Sequence, residues 1–427
     1  MSSQTQRQDS TGGDSPPSRS GQPSAEQLVV GLPHLGLVHS KLVYLGIGYE
    51  EIETSTDLGL ALLSLDDVDA AGALLLKHGR AAGQRGGSRA EPPTSLEQVL
   101  WGLRQSFAAA YAGWTPVLGK NRLVGRVHGV GEISYGGTGE PEPAKAASGL
   151  PPRAAGPGRG VRIGVLDTRL YPQPWLAGGW AARYSDTLTD FRQTLTAEGH
   201  ATFVTGLILR QAPGATVEVR GVLDEDGTAY SWDVAKAMVE FGRSGLDILN
   251  LSFSCYTEDG EPPLVLSAAV DRLPQDVVVV AAAGNHGSPQ DADGNPRSDD
   301  ARRRPSWPAA LDDVIAVGAV DAHGRRAAFS PDAPWIDLLA PGVDLTSTYL
   351  PQARSAAQAY PVQYDGFARW SGTSFSAALV TGLIAAGAEP GRMPARGALL
   401  NILGARHSRV AQDVLHSSAP YLDLAGF

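Results

Sequence analysis

Four polar residues stand at the ends of apolar runs in this chain. Asp167 closes Gly-Val-Leu-Asp-Thr, and His200 opens Gly-His-Ala-Thr-Phe-Val-Thr-Gly. Asn285 follows Ala-Ala-Ala-Gly, and Ser374 sits in Ser-Gly-Thr-Ser-Phe-Ser-Ala-Ala-Leu-Val. A carboxylate, an imidazole, an amide donor and a hydroxyl are the groups that acyl transfer needs, with no cofactor. Ser374 opens a run of Ala, Leu and Val that reads as a buried helix. Its hydroxyl would lie near unpaired N–H groups and the positive dipole end, which favour a developing oxyanion. Each residue also has a plain structural reading. Serine before an apolar helix is a common N-cap, and an Asp after a strand caps a turn. Gly-Asn is an ordinary turn pair, and a lone histidine more often makes a structural hydrogen bond. Together, the four argue for chemistry.

The elements that must position them alternate. Apolar strands are expected at 161–166, 217–222, 248–253, 277–283 and 314–320, with helices at 201–209, 231–241 and 264–272 between them. Unbroken apolar strands alternating with helices predict an α/β fold, a parallel sheet covered on both faces. Such sheets gather functional groups at their carboxyl ends. Asp167, Ser252 and Asn285 fall at or just past such ends.

A smaller α+β domain is expected over 26–138, after a tail of Ser, Gly, Gln and Pro at 1–25 that reads as disordered. Its elements are two short strands within 26–48, a strand over 54–65 and a helix over 66–78. Thr94-Ser95-Leu96-Glu97 is a capping-box pattern ahead of a second helix, and 122–135 reads as a hairpin. Residues 139–159, rich in Gly, Pro and Ala, read as a linker to a catalytic domain over 160–427.

Composition narrows the class. With 42% hydrophobic and 19% charged residues among 427, the chain reads as a soluble globular protein. A net charge of −10 argues against nucleic acid as a partner. No apolar run reaches membrane-spanning length and no signal peptide is apparent, so a cytoplasmic protein without a membrane partner is expected. The single cysteine, Cys255, excludes an internal disulfide framework. Asp224-Glu225-Asp226-Gly227 and Asp291-Ala292-Asp293-Gly294-Asn295 resemble pieces of calcium loops, but neither completes a ligand set and solvated turns are the better reading. No cofactor is therefore expected, with calcium left open.

The order Asp, His, Ser along the chain is that of subtilisin, whereas an α/β-hydrolase runs Ser, Asp, His with G-x-S-x-G at its nucleophile. Residues 160–390 resemble the subtilases, the subtilisin-like serine proteases of the peptidase S8 family. The serine motif appears as Gly372-Thr373-Ser374-Phe375-Ser376 and the histidine motif as His200-Ala201-Thr202-Phe203-Val204-Thr205-Gly206. The aspartate motif becomes Asp167-Thr168-Arg169, and Ala282-Ala283-Gly284-Asn285 matches the oxyanion-hole motif. Asn250-Leu251-Ser252-Phe253-Ser254 resembles the substrate strand. Two further segments, 314–319 and 337–342, also match.

The resemblance implies a subtilisin-like fold and a serine endopeptidase acting on a peptide or protein substrate. Asp167, His200 and Ser374 would form the triad, and Asn285 would serve the oxyanion hole. Ser252, Phe253 and Ser254 would pair with the peptide, with Gly284 flanking the specificity pocket. An intracellular role in peptide maturation or regulated cleavage fits; the alternative is an inactive scaffold that binds peptides or partners. Arg169 and Ser254 each replace a usual glycine, Ala201 and Phe203 change the histidine motif, and Ala378-Leu379 replaces a usual Pro-His. The domain at 26–138 takes the position of a propeptide, so it is expected over the active site with the linker reaching across. His286 is expected to be exposed and outside the chemistry.

Overall fold

The computed structural model describes residues 27–82, 94–126, 139–145, 156–189, 194–257, 259–290, 294–355 and 360–405. The expected tail at 1–25 lies outside them, as do 127–138 and the chain beyond 405.

The first unit holds β1 (Gln27–Gly31), α1 (Leu35–Tyr44), β2 (Tyr49–Ser55), β3 (Leu60–Leu65), α2 (Val68–Ala82), α3 (Ser95–Ala110) and β4 (Leu118–Lys120). Its sheet runs β2-β3-β1-β4 and is antiparallel throughout. The helix α3 begins where the sequence places it. Thr94 Oγ1 accepts from the Glu97 N–H, and the Glu97 carboxylate accepts from the Thr94 N–H.

Two expectations for this unit need correction. The second strand within 26–48 is α1, because Pro33 opens a helical turn and Leu35, Val38 and Leu42 then share one face at helical spacing. The strand over 54–65 is two strands, since the chain turns at 56–59 with Gly59 at φ +69°. One face of the sheet buries Leu28, Val30 and Leu63 against Leu75, Leu103 and Phe107 of the helices.

The chain continues with β5 (Leu123–Arg126), β6 (Glu142–Pro143), β7 (Arg162–Asp167), α4 (His200–Gln211), β8 (Thr216–Gly221), β9 (Thr228–Tyr230) and α5 (Ser231–Gly242). Next come β10 (Ile248–Leu251), β11 (Phe253–Ser254), α6 (Leu264–Val270), β12 (Val278–Ala282), α7 (Asp299–Arg303), β13 (Val314–Val320) and β14 (Leu338–Pro341). The last are β15 (Leu345–Thr348), β16 (Gln352–Ala353), β17 (Val362–Gln363), β18 (Phe367–Trp370), α8 (Thr373–Gly387) and α9 (Ala395–Ala405).

A six-stranded sheet of order β14-β13-β12-β10-β7-β8 forms the core, every neighbouring pair parallel. Helices α4 and α8 bury Leu207, Ile208, Leu379 and Val380 against one face. On the other face α5 and α6 bury Trp232, Met238, Val265 and Leu266. The strand order reverses between β7 and β10, and the crevice outside their carboxyl ends is where such sheets bind ligands.

The first unit docks on α5 and α6. Val29, Leu60 and Leu62, on the back of its sheet, join the cluster around Trp232 and Leu266. Asn121 Oδ1 accepts from Ser231 Oγ and the Trp232 N–H, at 3.0 and 2.9 Å, capping α5 from outside its own chain segment. Glu53 accepts from the Trp232 indole and from Lys236 at 2.9 Å.

The expected hairpin at 122–135 is not formed within the described residues. Instead β5 inserts between β11 and β9, antiparallel to both, pairing Phe253 with Arg126 and Ser254 with Gly125. Its partners lie more than 100 residues away, so no local pattern reveals the pairing. The segment read as a linker also holds a docked strand, β6, which pairs with β18.

Candidate active site

Asp167 ends β7 and His200 begins α4. The His200 Nδ1 lies 2.9 and 2.8 Å from the two carboxylate oxygens of Asp167. Both side chains are almost wholly buried, at 0% and 3% exposure. A carboxylate bonded at Nδ1 keeps the ring proton there and leaves Nε2 as the acceptor. Thr168 braces the pair: its N–H donates to Asp167 Oδ1 at 2.7 Å, and its hydroxyl accepts from the Ala201 N–H at 3.1 Å. Aromatic rings enclose the imidazole. Trp370 meets it edge-on at 5.6 Å and Phe375 lies 5.4 Å away, with Phe203 packed behind both.

Ser374 occupies the first turn of α8, whose N-cap is Gly372. Its hydroxyl donates to the Ser252 carbonyl at 3.3 Å, while the Ser252 hydroxyl donates to the Ser374 carbonyl at 3.3 Å. Among the described residues the Ser374 hydroxyl is thus bonded to Ser252 and not to His200. Behind Ser252 a buried polar row runs through Asn250 to Thr381, at 2.9 and 3.0 Å, locking α8 to β10.

Asn285 lies past β12, facing the start of α8. Its Oδ1 accepts from both the N–H and the hydroxyl of Thr373, at 3.1 Å each. That pair fixes the amide plane, and a Cβ placed on Gly372 would stand 3.6 Å from the Asn285 Nδ2. The Thr373 hydroxyl also accepts from the Gly284 N–H at 3.1 Å. Gly284 needs its missing side chain twice over. Its φ is +97°, and a Cβ would come within 2.8 Å of His286 Nδ1.

The structure therefore links Asp167 to His200, His200 through the Phe375 ring to the start of α8, and Ser374 and Thr373 there to Ser252, Asn285 and Gly284, with Phe253 and Ser254 on β11 just past Ser252. It corrects the reading of His286, which is 1% exposed. Nδ1 of that ring lies 2.9 Å from the Tyr256 hydroxyl, and Nε2 lies 3.1 Å from the Arg304 carbonyl. Burial pulls its pKa down to about 3 and pushes the Tyr256 phenol up to about 12. Arg169 lines a cavity of about 700 Å³ together with Thr168, Glu198, Asp224 and Glu225. Burial raises the Glu198 pKa. In the first acidic cluster, Asp224 accepts from the N–H groups of Asp226 and Thr228, a turn as expected; residues 291–293 of the second lie outside the described residues. Among the described residues no group of three or more His, Cys, Asp or Glu is arranged to hold a metal ion. No helix among them is long and apolar enough to cross a membrane.

Residues 158–393 match the model of the subtilase family, Peptidase_S8, over more than half of the chain. The chain belongs to the subtilase family. This subtilase is 32% identical over 244 residues to the thermophilic serine proteinase of Bacillus sp. (strain AK1), covering 55% of this chain and 53% of that protein. It is 30% identical over 201 residues to subtilisin BL of Lederbergia lenta, covering 45% of this chain and 67% of that one. The chain thus spans about half to two thirds of the length of the curated relatives it matches. A crystal structure of a lanthipeptide protease aligns with a TM-score of 0.47 at 21% identity, covering 61% of this subtilase and 85% of that chain.

Sequence reasoning missed Thr373, Trp370 and the Tyr256–His286 pair. Thr373 had a local signal, since a hydroxyl beside the candidate serine at a helix start can orient a neighbour. The other contacts join residues from separate elements and had none.

Proposed function

We propose that this subtilase is a serine endopeptidase, with Ser374 as nucleophile and His200 as its general base. The observation that carries the reading is the buried Asp167–His200 pair beside a serine at a helix N-terminus. A rotation about the Ser374 side-chain bond exchanges the Ser252 carbonyl for His200 Nε2 as the hydroxyl's acceptor. Oγ then attacks the scissile carbonyl as the proton passes to Nε2. Asp167 holds the tautomer and stabilises the imidazolium. The Asn285 amide and the Ser374 N–H meet the developing oxyanion, aided by the α8 dipole. His200 returns its proton to the departing amine, and water completes the cycle by the same route.

The peptide before the scissile bond pairs with β11 and β9, as β5 does here, which assigns Ser252, Phe253, Ser254 and Gly284 to substrate binding. The domain at 26–138 then blocks the active site, because β5 fills the place a substrate would take. An intracellular, selective enzyme of peptide maturation or regulated cleavage, needing no cofactor, fits this arrangement. Mass spectrometry of the incubated protein tests the blocking role. A cut appearing between 130 and 160 in wild type and absent from Ser374→Ala supports self-processing. An uncut chain argues for a retained regulatory domain.

The bond from Ser374 to Ser252 favours a second reading, a peptide-binding scaffold without turnover. A fluorophosphonate probe separates the two. Labelling of the native protein at Ser374, lost on denaturation, supports the enzyme; a native protein that stays unlabelled supports the scaffold.

A further inference from the structure

Two strands that precede β7 in the chain pair with elements next to Ser374 in sequence or by hydrogen bond. β5 lies against β11, next to Ser252, on the side where the acyl half of a substrate binds. β6 lies on β18, which leads directly into Ser374 and carries Trp370 against the His200 ring. In the proposed mechanism the imidazolium delivers its proton to the departing amine, and the edge-on contact of Trp370 with that ring is the reason for assigning β18 to the leaving-group side. Resting on the peptidase reading, we propose that β6 is a built-in occupant of that side. The enzyme reads its substrates before the scissile bond only. Residues beyond the first one or two after the cut are turned away from β18 and add nothing to recognition.

Three kinds of contact hold β6 in place. Main-chain pairing sets Pro143 opposite Ala368 and Glu142 opposite Arg369, and the Ala144 N–H donates to the Phe367 carbonyl at 3.2 Å. The Tyr364 hydroxyl donates to the Pro141 carbonyl at 3.0 Å and the Trp370 indole to the Gly139 carbonyl at 2.6 Å. These two side chains are only 1% and 5% exposed, so lifting β6 away strips buried donors of their acceptors. Glu142 and Arg369 form an ion pair at the rim.

Chain order separates β5 from β6. A cut between Arg126 and Gly139 severs β5 from the catalytic sheet but leaves β6 joined to β7 by the same polypeptide. A substrate's leaving segment then competes with a tethered strand whose effective concentration is on the order of millimolar. The acyl side has no such permanent competitor.

The test starts from a peptide that the protein cuts, found in a random library by mass spectrometry. It is resynthesised with one, two, four or six alanines after the cut bond. In wild type, kcat/KM should change by less than about two-fold from two to six alanines. In Glu142→Arg/Ala144→Pro, which loses the rim pair and a ladder donor, the same lengthening should raise it about five-fold or more, as a freed strand edge accepts pairing. Adding Arg369→Glu to Glu142→Arg alone should restore the wild-type profile. A wild-type gain equal to that of the loosened variant overturns the proposal. Amide exchange supplies a reading independent of turnover, in the full-length Ser374→Ala protein and in any processed wild type. Protection of the Ala144 amide in both supports the proposal, and fast exchange there overturns it. A library with no cut peptide counts against the peptidase reading, and the exchange measurement then decides this one.

Discussion

The two halves of the site are built differently. Asp167 and His200 are fixed by burial, by two short contacts and by Thr168, with aromatic rings on the open side. Ser374 is equally buried, in the first turn of α8, but its hydroxyl is held by a single bond, to the Ser252 carbonyl at 3.3 Å. On the proposed mechanism the two halves have different tasks. A tautomer has to be set before reaction, and a low-dielectric pocket with a bonded carboxylate sets it. The proposed nucleophile has to hand on its proton, and a hydroxyl that can exchange one acceptor for another achieves that.

Mutations can break this comparison, the largest effect first. Ser374→Ala should lower kcat by about 10⁶-fold, a magnitude borrowed from a subtilisin, with an unchanged melting temperature. Retained cleavage by the pure variant would end the assignment. Asp167→Asn should cost about 10⁴-fold in kcat while KM stays close to wild type, because the carboxamide favours the wrong imidazole tautomer. An effect below ten-fold would mean that burial alone orients His200.

Asn285→Ala should cost about 10²–10³-fold in kcat, again a value borrowed from a subtilisin. Thr373→Val sharpens the point, since it removes the hydroxyl that aims Asn285 but keeps the Thr373 N–H. Its expected loss is roughly ten-fold, within the value of one neutral hydrogen bond. Equal losses in the two variants would show that Asn285 acts only when held by that hydroxyl.

The smallest effect is on stability. His286 has its pKa lowered from 6.5 to about 3, so the folded protein keeps the ring neutral while the unfolded chain takes up a proton. The unfolded state therefore binds more protons between those two values, and stability falls as pH drops through that window. At pH 4 the loss is at most about 3 kcal/mol. Urea unfolding at pH 7 and pH 4 should show the drop in wild type, and a smaller one in His286→Gln. Equal drops would remove His286 as the cause.

The legible parts of this protein are those with local causes. The capping box at Thr94 and the apolar strands β7, β10, β12 and β13 carry their instructions within a few residues. Asp167, His200, Asn285 and Ser374 could be singled out for a related reason, as each sits beside such a segment within a short motif. Reading α1 as a strand failed because Pro33 suggests a break as readily as a helix start, and ten residues with Val and Tyr give a weak period.

The chain's own residues determined which groups could react and which strands could carry them, because both follow from side-chain chemistry and short-range spacing. Only the tertiary structure decided that β5 pairs with β11 and β9 and β6 with β18, that His286 is buried against Tyr256 and Arg304, and that the Ser374 hydroxyl rests on Ser252. Those are pairings between edges and surfaces formed by distant parts of the chain. A strand edge offers the same N–H and C=O groups to any partner, so geometry and burial choose among them.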